Sequence, residues 1–412
     1  MVSRRSSARA AGFPSAKTAA ALGLAALMAA CATPGVSPAP GPGPAVGPTT
    51  PPEAQVQTRE GVTPPFMRGR PIVRVGLLLP FTLRPQDAAA LYSAAELALF
   101  DHGNQNTLLI PRDAGSDEAS AAAAARALVA DGADIIIGPV LREGVAGAGA
   151  TARPRNIPVI GFSSDRTVAG NGVYLLSFQL EDEIARIVSY AASQNIRTIA
   201  LLAPSNEYGR RVESALRAQA QAYGVTVGAA RLYNRSDSEA GAAAAALAQT
   251  LRTQPAQAVL IAESGGPLRA IGVALVQAGV TQQQTRFIGT SAWLGDAQRE
   301  PTLAGGWYVS PDPNARTSFE ERYQRAYSRE PTRLASLAYD AVAIAARLSA
   351  DAGSQGLTRG AIENNEGFAG ADGLFRFRSD GAIERGLAII EVGANSVNVR
   401  DPAPARFSRS GS

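Results

Sequence analysis
From about residue 71 the chain alternates short apolar runs with longer amphipathic ones. IVRVGLLLP (72–80) is apolar throughout and stops at Pro80, the pattern of a strand buried on both faces. AAALYSAAELALFDHG follows with Leu91, Ala95, Ala98 and Leu99 at helical spacing. TLLIPRD, ADIIIGPV and PVIGFSSD repeat the strand signal, with helical stretches DEASAAAAARALVADG and LREGVAGAGATARPRN between them. Asp117 and Glu118 stand in the first turn of the former, where acids suit the helix dipole. After VYLLSF (173–178) the alternation restarts through TIALLAPS, TVGAARLY, AVLIAES and RFIGTSAW. This order predicts an α/β fold of two doubly wound Rossmann-like lobes, joined by hinge crossovers with a cleft between them.

The boundaries follow from where the pattern changes. Residues 71–178 form the first lobe and 179–306 the second. Residues 307–350, with two helical stretches, return to the first lobe and the hinge. Short strands close the fold over 351–395, and 396–412 is a flexible tail.

The first 70 residues read differently. Arg4, Arg5, Arg9 and Lys17 precede the apolar run TAAALGLAALMAA, and no acidic residue accompanies them. A basic start, a short apolar run and a small-residue exit form an export signal over 1–30, too short to span a bilayer. The single cysteine, Cys31, follows at once. One cysteine closes no intramolecular disulfide and makes no metal site. Residues 31–70 are rich in Pro and Gly and poor in large apolar side chains, which predicts a disordered tether. At ~3.1 Å per residue, about 40 such residues reach at most ~120 Å.

The signal also changes the charge argument. The whole chain has 39 Lys+Arg against 35 Asp+Glu, a net charge of +4. All four bases before Cys31 leave with the signal, so the mature chain is neutral overall. That removes the reason to expect a nucleic-acid partner.

Met28-Ala29-Ala30-Cys31 resembles a bacterial lipobox, which implies cleavage before Cys31 and lipid attachment at its thiol. Ala32 in place of Asp implies sorting to the periplasmic side of the outer membrane by the rule of that family. From 71 to 395 the chain resembles type I periplasmic binding proteins of the leucine/isoleucine/valine-binding kind. The resemblance rests on GLLLPF, AELALFDHGN, IIIGPV, PVIGFSSD, APSNEYGRR and AYDAVAIAA, in that order. With the lipobox and tether, it extends to lipoproteins of the penicillin-binding protein activator type. That likeness implies a non-catalytic envelope lipoprotein that regulates peptidoglycan synthesis through a synthase partner. Characterised activators also carry a helical-repeat domain, which this sequence does not show. A second reading therefore stands beside the first: a receptor that delivers an amino acid to an ABC permease.

Ligands of open α/β sheets sit beyond the carboxyl ends of the strands. Those ends offer Arg84, Ser163 and Ser164 in the first lobe, and Ser205, Tyr208, Glu263 and Ser291 in the second. By resemblance to amino-acid-binding relatives, Ser163 and Ser164 would hold a carboxylate. Tyr208 would supply an aromatic wall and Glu263 an acid for the ammonium. Arg84 stands in a loop without glycine and would fill the cleft or reach for an anion. Each hydroxyl and acid could equally cap a helix.

No catalytic constellation accompanies these residues, so an enzyme is not expected and no cofactor or metal is implied. The single His102 follows a helix, where a surface cation near the C-terminus is favoured. Gly147, Gly149 and Ala152 fit a GxGxxA spacing but lie within a helical stretch, which argues against a dinucleotide loop. Glu181 with Asp182, and Glu320 with Glu321, read as solvated helix faces.

Overall fold
The computed structural model describes residues 63–68, 71–102, 106–394 and 396–407. The signal, Cys31 and most of the tether lie outside the described residues.

The first lobe is built from β1 (Val73–Leu79), α1 (Pro85–Asp101), β2 (Thr107–Asp113), α2 (Glu118–Ala130), β3 (Ile135–Ile137), α3 (Arg142–Ala152), β4 (Val159–Gly161) and β5 (Val173–Leu175). Its sheet runs β2-β1-β3-β4-β5 and every pairing is parallel. Because crossover helices cover both faces, β1 is buried at all seven positions, which explains its unbroken apolar run.

The second lobe repeats the scheme with α4 (Leu180–Ser193), β6 (Thr198–Pro204), α5 (Glu207–Ala222), β7 (Thr226–Tyr233), α6 (Asp237–Leu251), β8 (Ala258–Ile261), α7 (Gly265–Gln277), β9 (Arg286–Gly289) and β10 (Trp307–Ser310). Its parallel part has the same order, β7-β6-β8-β9-β10. Two later strands, β14 (Ala388–Val392) and β15 (Val397–Asp401), extend it antiparallel beyond β10.

Between them, α8 (Pro313–Tyr327), α9 (Ala335–Leu348) and the meander β11 (Phe368–Gly370), β12 (Gly373–Phe377) and β13 (Ile383–Arg385) return to the first lobe. Phe319, Tyr323, Ala341, Phe375 and Phe377 share one apolar cluster with Leu77 and Leu91. The chain thus passes between lobes at 176–179, 311–312 and 386–387. The doubly wound pair of sheets confirms the fold class.

Three expectations need correction. The return to the first lobe begins at 311, not 307, because Trp307 and Tyr308 pair with Ile288 and Gly289 of the second sheet. The closing strands divide, β11–β13 going to the first lobe and β14 to the second. The expected tail at 396–412 contains β15, whose Val397 and Val399 sit opposite Val392 and Ile390 at the sheet edge. Its polar, exposed residues hid a strand that is held by backbone pairing more than by burial.

Local chemistry explains other features. Asp117 is the N-cap of α2, one position before the first turn: its side chain accepts the Ser120 N–H at 2.8 Å, and Ser120 Oγ accepts the Asp117 N–H in return. The GxGxxA glycines serve packing, since a Cβ on Gly147 would collide with the Glu118 carbonyl of α2. His102 caps the C-terminus of α1 against the Tyr339 ring, half-buried. Burial, with Arg347 and Arg322 nearby, pushes its pKa down, so it is not the expected surface cation.

Candidate functional site
The interlobe cleft opens at the carboxyl ends of both sheets. It encloses about 940 Å³ between the β3, β4 and α1 ends of the first lobe and the α4 and α5 starts of the second. Phe178 of the first crossover lines it together with Leu334 and Leu337.

On the first wall, Arg84 stands at the N-cap of α1 and pairs with Asp87 at 2.6 Å. Ser163 is 6% exposed, and its Oγ accepts the Asp165 N–H at 3.1 Å. Ser164 beside it is exposed, with no side-chain hydrogen bond among the described residues. Asp165 accepts from Thr167 through N–H (2.9 Å) and hydroxyl (2.6 Å), and these bonds hold its carboxyl below the usual range. Arg142 Nε lies 3.6 Å from the Asp165 carboxylate and 3.2 Å from that of Glu143. Arg84, Ser163 and Ser164 therefore share the cleft, as their strand ends predicted.

The second wall is made by residues the sequence did not offer as ligand candidates. Arg211 of α5 donates to both oxygens of Glu181 of α4, at 2.9 and 3.1 Å. Glu181 is no solvated helix face: the fold brings it to the cleft and gives it a guanidinium. Asp182 likewise binds Arg166 of the first lobe at 2.9 Å. Arg166 also donates to Gln179 Oε1 at 3.1 Å, so one arginine ties the first lobe to the crossover and to α4. By contrast, Glu320 and Glu321 carry only i,i+4 pairs with Arg316 and Arg325.

The second-lobe candidates are used inside the protein. Tyr208 OH meets Thr290 Oγ1 at 2.9 Å, and burial pushes its hydroxyl up to about 12. Glu263 is 2% exposed, accepting from Arg235 Nε at 3.1 Å and from the Ser264 N–H at 3.0 Å. Ser205 donates to Asn234 at 3.2 Å and lines a separate hollow with Arg231 and Tyr233. Ser291 gives its N–H (2.9 Å) and hydroxyl (2.6 Å) to Glu183 of α4. None of the four lines the main cleft. The APSNEYGRR turn is a helix start: Asn206 accepts the Gly209 N–H, and a Cβ at Gly209 would strike the Pro204 carbonyl.

Ser291 belongs to a hinge latch. Arg333, before α9, donates to Ser291 Oγ at 2.5 Å and lies 3.8 Å from Glu183. The same guanidinium covers the Phe178 ring at 4.7 Å, and Arg385 covers it at 5.0 Å. Arg385 is 8% exposed and also faces Phe375 at 5.3 Å, so the third crossover is stacked on the first. A run such as EDEIAR gives no sign of these partners, which come from residues about 110 to 150 positions later.

Among the described residues no group of three or more His, Cys, Asp or Glu could hold a metal, and no helix is long and apolar enough to cross a membrane.

Residues 72–396 match the model of a family described as periplasmic binding protein. The chain belongs to that family. Among solved structures, this periplasmic binding protein resembles a protein assigned as a branched-chain amino acid ABC transporter from Rhodospirillum rubrum. The TM-score is 0.71 at 18% identity, over 80% of this chain and 99% of the other. A leucine binding protein from Thermotoga maritima superposes with a TM-score of 0.55 at 17% identity, over 81% and 99%. A solute binding protein from R. palustris in complex with benzoate gives 0.57 at 18%, over 82% and 98%. No curated protein sequence is significantly similar to the chain. At these identities the likeness establishes the type I fold and its two lobes.

Proposed function
We propose that this periplasmic binding protein is a non-catalytic envelope lipoprotein, anchored through Cys31 at the periplasmic side of the outer membrane. In this reading it regulates peptidoglycan synthesis by binding a synthase, as a protein of the penicillin-binding protein activator type. One observation carries the choice. The second-lobe half of an amino-acid recognition set, Tyr208, Glu263 and Ser291, is bonded within the protein and lies off the cleft. The walls that remain are arginine–carboxylate pairs, which a small zwitterion would have to break. An interaction module needs no such set.

The second reading, a receptor for an amino-acid ABC transporter, is favoured by the cleft itself. A volume of about 940 Å³ holds a small organic acid, and Ser164 stands free at its wall. Two measurements on the mature chain separate the readings. The activator reading expects a purified peptidoglycan synthase of the same organism to polymerise faster in its presence. It also expects no thermal shift with leucine, isoleucine or benzoate. A saturable shift with any of these, without an effect on the synthase, overturns it, since a ligand of the native state raises the midpoint by mass action.

A further inference from the structure
The proposed role needs a surface for the partner, and the first lobe has a built one away from the cleft. α2 and α3 pack side by side on the sheet face opposite α1 and α9. Between them runs a groove of about 640 Å³, lined by Ala122, Val129, Ala130, Ala150 and Pro154, with Arg126 and Arg155 at its rim. Its remaining lining residue, Thr151, turns its hydroxyl back to the Gly147 carbonyl at 3.0 Å, so the floor offers no free polar group.

The charges differ in kind from those of the cleft. In the cleft, Arg84, Arg142, Arg166 and Arg211 each have a carboxylate. At the groove, Arg126 and Arg155 are exposed, and their side chains make no ion pair or hydrogen bond among the described residues. No acid lines the groove. An apolar floor with unpaired cations at its rim complements an acidic segment that carries small or branched apolar side chains.

We propose that the α2/α3 groove docks an acidic, apolar-faced segment of the synthase partner. The inference rests on the reading above. Docking there leaves the cleft and the hinge latch untouched, so partner binding and cleft occupancy are separable.

The test uses the mature protein and the purified synthase, with affinity measured at low and high salt. Arg126→Glu with Arg155→Glu should weaken binding at least tenfold and flatten its salt dependence, while the thermal midpoint stays put. Ala150→Glu, at an exposed position, should weaken it too and covers the case in which the double variant misfolds. Arg217→Ala, at an exposed position of the second lobe, should leave affinity unchanged. If the wild type binds and both groove variants bind equally well, the groove is not the contact and the synthase reading survives. If the wild type does not bind the synthase at all, that reading fails and this occupant fails with it.

Discussion

The two lobes share a strand order, yet their cleft edges have opposite fates. In the first lobe, the polar residues beyond β1 and β4 (Arg84, Ser163 and Ser164) face the cleft. In the second, the residues beyond β6, β8 and β9 turn inward to Thr290, Arg235 and Glu183. A strand's carboxyl end fixes where a side chain starts. Whether that side chain is available depends on what the following helix brings beside it. α4 brings Glu183 under the end of β9, and the loop after β7 brings Arg235 over Glu263. The first lobe has no equivalent insertion over Ser164.

The largest test of this contrast is Glu183→Ala. It strips the acceptor from the Ser291 N–H and hydroxyl and removes the carboxylate beside Arg333. Breaking a buried, hydrogen-bonded pair should cost about 3 kcal/mol, read as a lower denaturation midpoint at unchanged slope. A loss below ~0.5 kcal/mol would show that the latch is not structural. Glu263→Ala comes next. Its carboxylate is almost fully buried and holds the Ser264 N–H at the start of α7, so about 1–3 kcal/mol should be lost. If instead stability holds and a ligand's affinity falls, Glu263 serves the cleft after all.

Much of the fold was legible because buried parallel strands leave uninterrupted apolar runs, and IVRVGLLLP and ADIIIGPV are such runs. β15 was not, since an edge strand with exposed Asn398 and Arg400 carries almost no burial signal. The site was half legible. Position beyond a strand found Ser163, Ser164 and Arg84. It could not find Arg211, Arg166 or Arg333, because an arginine in an amphipathic helix or loop reads as solvated until its partner is placed. The pairs Arg166–Asp182 and Arg333–Glu183 join residues from different lobes, and local periodicity contains nothing about them.

A pH series sharpens the comparison with a smaller effect. Burial raises the Glu183 carboxyl above its usual 4.5, whereas hydrogen bonds lower Asp165 below its usual 3.8. A raised folded pKa contributes stability below the unfolded value that is lost as pH rises through the folded one. A lowered one contributes stability above the unfolded value that is lost as pH falls. Glu183→Gln should therefore flatten the decline of stability above about pH 4.5. Asp165→Asn should act only at the acid end, below pH 3.8, and weakly because Asp165 is solvent-exposed in part. The reverse assignment would mean that the first-lobe edge is the tied one.

The smallest expected effect is the most direct probe of availability. Ser164→Ala removes a hydroxyl that bonds to no side chain, at an exposed position, so stability should stay within about 0.5 kcal/mol of the wild type. Arg211→Ala breaks a pair with Glu181 in which both side chains are about one-third exposed, and should cost no more than ~1 kcal/mol. Two near-silent substitutions on facing walls then make the cleft's chemistry readable by binding alone. If a small acid enters, Ser164→Ala should weaken it without moving the thermal midpoint of the free protein. If Ser164→Ala itself lowers that midpoint by several degrees, the hydroxyl is engaged after all, and the first lobe is no freer than the second.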